Sequence, residues 1–186
     1  MPAARVAPAP MRGRRMGAGS EHWSHWPAAP QAALRTVYGP ETMAVDVLTE
    51  IVIARPVAEV AAFAGDPSRA PEWYANIKSV EWVTPPPATV GSRLAFVAHF
   101  LGRRLAYTYE IRALSADHLV MSTAEGPFPM ETTYTWTAEG PHTRMTLRNR
   151  GEPSGFSAVV APIMAMMLRR ANEADLRKLK AVLEAR

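Results

Sequence analysis

Apolar side chains recur at spacings of three and four residues along the carboxyl-terminal part of the chain, with charged side chains between them. The apolar positions are Val160, Ile163, Met164, Met167, Leu168, Ala171, Leu179 and Val182. This period predicts an amphipathic helix within residues 155–186, with Ser157 as its N-cap. A helix of about 28 residues would be roughly 40 Å long, so its apolar stripe needs a broad partner.

Between residues 45 and 150 apolar and polar positions alternate instead, which predicts strands. A first strand at 45–54 is followed by two short helices. The first helix begins at Pro56, and the second begins near Ser68 and carries Trp73, Tyr74 and Ile77. Six further strands are predicted at 78–84, 93–100, 103–114, 119–124, 130–138 and 143–150. Short turns join them, so they are expected to be antiparallel neighbours in a curved sheet that covers the long helix, an α+β fold.

The first 42 residues differ from the rest in composition. They hold six of the 17 prolines and four of the 11 glycines and show no lasting apolar period, which predicts a disordered extension before a domain at 43–186. The first fold signal follows Met43, so translation from Met43 is a hypothesis that mass spectrometry of the native amino terminus would test. The extension carries a net charge of +3 out of the total +4, which leaves the domain nearly neutral. A basic nucleic-acid-binding face is therefore not expected.

Composition further narrows the class of protein and its cellular compartment. The chain has no cysteine, which excludes disulfides and thiolate metal sites. No apolar run approaches the roughly 18 residues of a membrane span, and the sequence shows no signal-peptide core, so a soluble cytoplasmic protein is expected. His22 and His25 lie three residues apart without a further ligand nearby, which is a weak metal signal, and neither a metal nor a cofactor is expected.

Several segments resemble one known superfamily. They read IARPVAEVAAF at 53–63, DPSRAPEW at 66–73, FLGRR at 100–104, YTYE at 107–110 and LRKLK at 176–180. Over about residues 45–184 the chain is similar to the SRPBCC superfamily, which comprises START-related, plant-allergen-like and polyketide cyclase/dehydrase proteins. The resemblance implies a helix-grip fold, in which a seven-stranded antiparallel sheet curls around the long helix and encloses a cavity. It also implies a range of functions, from lipid carriers to aromatase/cyclases, while the metal and iron–sulfur ligands of the oxygenase members are missing here.

Strand alternation and the helical stripe indicate which side chains face such a cavity. The predicted ligand-binding set is Phe96, Tyr107, Tyr109, Met130, Tyr134, Trp136, Asn149, Met164, Met167 and Leu168. An apolar and aromatic lining with a few hydroxyls and one amide suits a ring system or an acyl chain. The alternative is a filled core in which each tyrosine anchors its hydroxyl at the rim.

No catalytic set is evident from the sequence. His99, Glu110 and Glu131 fall on the polar faces of their strands, whereas Asp175, with Asn172, interrupts the apolar side of the long helix. The simplest interpretation of Asp175 is a hydrogen bond to a neighbouring loop or a salt bridge to an arginine, because an unpaired buried carboxylate is costly.

Three functions remain open on this basis. The leading hypothesis is a binder or carrier of a small hydrophobic molecule, either lipid-like or aromatic and polyketide-like. The alternatives are a polyketide cyclase or dehydratase, in which tyrosines polarise a carbonyl, and a protein-interaction module with an exposed apolar patch. The sequence names neither the ligand nor the oligomeric state, and it leaves open whether a reaction is catalysed.

Overall fold

The computed structural model of the protein describes residues 45–100, 102–151 and 161–186. Its elements in chain order are β1 (Val45–Ile53), α1 (Val57–Ala64), a 3-10 turn (Pro67–Arg69), α2 (Ala70–Trp73), β2 (Ile77–Trp82), β3 (Arg93–Phe100), β4 (Arg103–Leu114), β5 (His118–Glu125), β6 (Met130–Glu139), β7 (His142–Gly151) and α3 (Ala161–Glu184). The predicted extension at 1–42, the N-cap Ser157 and Val160 lie outside the described residues.

All seven strands form one antiparallel sheet in the order β1-β7-β6-β5-β4-β3-β2. With two short helices after β1 and the long α3 at the end, this arrangement confirms the helix-grip fold. One boundary was wrong: Ile77 begins β2 instead of closing the second helix. That helix ends at Trp73 because Tyr74 is already extended, with ψ at 132°.

Irregular pairing bends the sheet. The register shifts between Ile77 and Ser79 in the β2–β3 pair, and it shifts at two places in the β4–β5 pair. Extra residues of this kind increase the local twist and let a sheet curl. The concave face holds the buried side chains of alternate residues, such as Leu94 and Phe96 on β3 and Met145 and Leu147 on β7.

Polar contacts attach α3 to β1, which is an edge strand of the sheet. The Arg169 guanidinium donates to the Leu48 carbonyl at 3.0 Å, and the Lys180 ammonium donates to the Val52 carbonyl at 2.8 Å. Near the end of α3, the Ala54 N–H donates to a Glu184 carboxylate oxygen at 2.6 Å. These bonds satisfy backbone groups that an edge strand would otherwise expose.

The carboxyl-terminal half of α3 is fully packed. Leu176, Leu179 and Leu183 are at most 3% exposed and share one buried cluster with Phe63 and Trp73 from the short helices. We call this region the sealed end. The first turns of α3 are less buried than this end of the helix. Ile163, which the sequence predicts on the apolar stripe, is 53% exposed. In the described residues, no helix is long and apolar enough to cross a membrane.

Candidate functional site

A chain of buried polar side chains crosses the concave face of the sheet and reaches α3. Tyr109 and Thr132 share a hydrogen bond of 3.0 Å between their hydroxyls, and the Thr132 hydroxyl donates to the Asn149 Oδ1 at 2.7 Å. The Asn149 Nδ2 then donates to the Asn172 Oδ1 at 3.1 Å. We call these four residues the polar chain. All four are at most 6% exposed.

The strand register explains why these side chains meet. Thr132 on β6 and Asn149 on β7 are direct partners, so their side chains stand side by side on the same face. Asn172 lies near the middle of α3, above that pair. The polar chain thus joins the sheet to the helix at the point where a purely apolar core would have only van der Waals contacts.

A second polar pair lies beside this chain. The hydroxyls of Tyr74 and Tyr134 are 2.7 Å apart, and the Tyr74 ring lies 4.0 Å from the ring of Trp73. Burial raises the pKa of both tyrosines well above the ordinary value. Burial also raises the pKa of Tyr109 to about 12, although its bond to Thr132 opposes the shift. These phenols are neutral hydrogen-bonding groups at physiological pH.

Asp175 is a buried carboxyl group next to the tyrosine pair. It is 2% exposed, and its Oδ1 accepts a hydrogen bond of 2.8 Å from the Ala75 N–H in the connection between α2 and β2. Burial raises its pKa to about 6, opposed by that hydrogen bond and by the charge of Lys178. Its charge in turn adds to the rise in the pKa of Tyr74 and Tyr134. Of the two contacts expected from the sequence, a hydrogen bond to a neighbouring loop or a salt bridge to an arginine, the structure shows the first.

Five of the predicted ligand-binding residues are only half-buried. They are Met164, Met167 and Leu168 on the amino-terminal half of α3 and Tyr107 and Met130 on the sheet. We call these five residues the open end.

Tyr107 belongs to a cluster of aromatic rings on the concave face of the sheet. The rings of Phe96 and Tyr107 are stacked at 5.4 Å, and Tyr109 meets Tyr107 edge-on at 5.0 Å. The loop between β5 and β6 lies close beside them. A Cβ at Gly126 would come within 2.9 Å of the Tyr107 Cβ, so only glycine fits there without a shift.

The predicted ligand-binding residues therefore divide into three groups. Phe96, Tyr109, Tyr134 and Asn149 are buried on the concave face, whereas Tyr107, Met130, Met164, Met167 and Leu168 are the half-buried residues of the open end. Trp136 is separate, because its ring lies against α1, where a Cβ at Gly65 would touch it at 3.3 Å. Whether any of them binds a ligand stays a prediction.

Sequence reasoning missed two members of the site. The sequence pattern predicts Tyr74 in a helix, and its hydrogen bond to Tyr134, sixty residues further on, has no local signal. Thr132 shares the alternating face of Tyr134, a pattern that could have identified it.

Two surface grooves lined by described residues lie away from the polar chain and the open end. One, of about 510 Å³, runs between β1 and α3 and is bordered by Leu48, Ile51, Arg169 and Arg177. The other, of about 430 Å³, lies between the end of α1 and the loop at Pro86 and Pro87. Neither contains a predicted ligand-binding residue, so the case for a site at the open end depends on the polar chain and its surroundings.

Comparison with known proteins identifies the family. The family model described as polyketide cyclase/dehydrase and lipid transport matches residues 44–184, and the chain therefore belongs to this family. This confirms the predicted SRPBCC membership. A search of curated proteins gives no match.

Solved structures share the fold at low sequence identity. The protein TTHA0849 from Thermus thermophilus matches with a TM-score of 0.66 and 22% identity, over 75% of this chain and 97% of its own. A START superfamily protein from Mycobacterium smegmatis matches with a TM-score of 0.66 and 14% identity over the same shares. The ZhuI aromatase/cyclase from Streptomyces sp. R1128 matches with a TM-score of 0.63 and 16% identity, over 76% of this chain and 94% of its own. Family and fold together indicate hydrophobic-ligand binding or polyketide cyclisation as the class of function.

Proposed function

We propose that this protein binds or carries a small hydrophobic molecule, lipid-like or aromatic and polyketide-like, between the sheet and the amino-terminal half of α3. The observation that carries the proposal is the buried polar chain that ends beside the half-buried residues of the open end. A core that served only stability would gain little from four polar side chains at this position.

The chemistry of the open end fits such a ligand. Met164 and Met167 have flexible thioether side chains that adapt to irregular shapes, and Tyr107 offers an aromatic face. A few hydrogen-bonding groups amid apolar side chains are typical of small-molecule sites, because the apolar surface supplies affinity and the polar groups fix orientation.

Native mass spectrometry of the full-length protein, purified without added ligand, tests the proposal. We expect a mass excess that disappears after solvent extraction. The extracted protein should then bind the neutral fluorescent probe N-phenyl-1-naphthylamine. Absence of both a mass excess and probe binding would contradict the proposal.

A second candidate function, dehydration within a polyketide-like chain, is favoured by the position of Asp175. Its carboxylate lies near the neutral Tyr74–Tyr134 pair. The hydroxyl of the pair whose proton is not used in the bond between them would donate a hydrogen bond to a substrate carbonyl, while the carboxylate removes the α-proton. The carboxyl of Asp175 would then pass that proton to the β-hydroxyl, which leaves as water and returns Asp175 to its carboxylate form. A β-hydroxyacyl thioester incubated with the protein should then gain the ultraviolet absorbance of its α,β-unsaturated product, and Asp175→Asn should abolish the gain. No turnover by the parent protein would leave binding as the function.

A further inference from the structure

Asn172 leaves one hydrogen-bond donor unused inside the protein. Its side chain is 2% exposed, and its Nδ2 has no hydrogen-bond partner among the residues that the structure describes. Buried amide groups are nearly always paired, so an unpaired one needs a physical explanation. A ligand that supplies the missing acceptor is such an explanation.

The order of donors and acceptors in the polar chain leads to this atom. Thr132 donates to the Oδ1 of Asn149, and Asn149 donates to the Oδ1 of Asn172. Each amide oxygen thus accepts from the preceding residue, and the Nδ2 of Asn172 is the last donor. Hydrogen bonds in series polarise one another, which strengthens the terminal donor.

Asn172 lies at the boundary between the two ends of α3. One helical turn towards the amino terminus is Leu168, which is half-buried, and one turn in the other direction is Leu176, which is 1% exposed. An acceptor bound to Asn172 would therefore extend its apolar part towards Leu168 and Met164 in the open end, because the sealed end is filled.

The charges around Asn172 select a neutral acceptor. The buried polar residues of the described part of the chain comprise threonines, a serine, two asparagines and Asp175, without a lysine or an arginine. A ligand carboxylate would thus be buried without a cationic partner and close to the carboxyl of Asp175, which is unfavourable. A ketone, ester or amide oxygen accepts the same hydrogen bond without that cost.

We propose that Asn172 recognises a neutral carbonyl oxygen on the hydrophobic ligand, at the junction of the open and sealed ends. This inference rests on the proposed binding function and specifies its ligand class. It makes Asn172 the residue that orients the ligand, with Asn149 and Thr132 as the residues that position its amide.

Three naphthalenes of similar shape test the inference on the extracted full-length protein. These are 2-acetylnaphthalene, 2-isopropenylnaphthalene, in which a methylene replaces the carbonyl oxygen, and 2-naphthoate. Their affinities follow from displacement of N-phenyl-1-naphthylamine. We expect the ketone to bind roughly ten-fold more tightly than the alkene, the ratio expected for one buried hydrogen bond, and 2-naphthoate to bind more weakly than the ketone.

Equal binding of ketone and alkene would overturn the role of Asn172 and leave the proposed function intact. Preferred binding of 2-naphthoate would overturn the neutral ligand class in the same way. Failure of every naphthalene and of the probe would overturn both proposals. All these outcomes come from the parent protein, so they do not depend on a variant that folds.

Asn172→Leu supplies the complementary arm. The variant keeps the branched shape of the side chain and removes both its free donor and the oxygen that accepts from Asn149. The ketone should therefore lose its advantage over the alkene, while the alkene still binds. The carbonyl stretching frequency of bound 2-acetylnaphthalene should also rise towards its value in an apolar solvent. A ketone preference that persists in Asn172→Leu would overturn the assignment, because a purely structural residue would not change the ratio of the two ligands.

Discussion

The two ends of α3 face the same sheet but pack against it differently. At the sealed end, Leu176, Leu179 and Leu183 are almost completely buried. At the open end, Met164, Met167 and Leu168 stay half-buried. Between them lie Asn172 and Asp175, the two polar residues that interrupt the apolar side of the helix. One helix therefore combines a region that stabilises the fold with the region where we propose that a ligand binds, and the polar residues mark the boundary.

Substitutions at the sealed end should change the free energy of unfolding more than substitutions elsewhere on α3. Leu179→Ala removes a side chain with no exposed surface and leaves a cavity, so we expect a loss of about 2–5 kcal/mol in the free energy of unfolding. Met167→Ala, at a half-buried position on the same helix, should cost only about 1 kcal/mol, because less apolar surface returns to water. Urea unfolding of the two variants measures the difference. Equal losses would mean that the open end is packed as tightly as the sealed end.

Substitutions at the open end should change ligand binding more than they change stability. Met167→Trp places a large ring where we propose that the ligand lies, and it should abolish binding of N-phenyl-1-naphthylamine. The cost in stability should stay below the roughly 1–3 kcal/mol of an overpacked core. Probe titration and thermal melting measure the two effects separately.

Met166→Trp is the matched control, because the adjacent Met166 is 47% exposed. The same ring at that position should leave probe binding unchanged. A large fall in the melting temperature of Met167→Trp, together with no probe binding by the parent protein, would show a filled core.

The free energy of unfolding should depend on pH through Asp175, which lies at the boundary between the two ends of α3. Its pKa is about 6 in the folded protein against 3.8 for the free group. Between these two pKa values the folded chain keeps a proton that the unfolded chain has lost. The contribution of this carboxyl to the free energy of unfolding therefore falls as the pH rises from about 4 to about 6.

Asp175→Asn removes this titration. The melting temperature of the variant minus that of the parent should therefore rise from pH about 4 to pH about 6 and stay constant above pH about 7. Other carboxylates cancel in the difference, which makes the parent protein the control. A difference that does not vary with pH would show that the carboxyl of Asp175 titrates normally.

The fold was predictable because its signals are local. The bounds of β3 and β4 agree with the alternation pattern, and the other predicted strands correspond to observed ones within a few residues. The error at Ile77 arose because a three-residue spacing from Tyr74 fits a helix as well as it fits the start of a strand. Ile163 was misplaced because periodicity shows which face a residue shares and not where a partner covers that face.

The candidate site was predictable only in part, since it depends on pairings across the fold. Alternation correctly placed Tyr109, Tyr134 and Asn149 on the concave face. The bond between Asn149 and Asn172, however, joins a strand to a helix, and no spacing in the sequence encodes it. The unpaired Nδ2 of Asn172 is visible only after every neighbouring partner has been assigned.

The smallest effects should come from the outer face of the sheet, where the two ends are alike. Near the open end, Arg148 pairs with both oxygens of Asp46 at 2.8 and 2.6 Å. Near the sealed end, Arg144 bridges Glu139 at 2.6 Å and Glu50 at 2.8 Å. Both arginines are solvent-exposed, and exposed ion pairs gain little because water and salt screen them.

We therefore expect Arg148→Ala and Arg144→Ala to lower the urea midpoint slightly and equally. Both shifts should shrink in about 1 M NaCl, where the screening length falls to about 3 Å. Neither variant should change the binding of N-phenyl-1-naphthylamine, because both side chains lie on the face of the sheet opposite α3. A loss of binding in Arg148→Ala alone would mean that the difference between the ends extends through the sheet to its outer face.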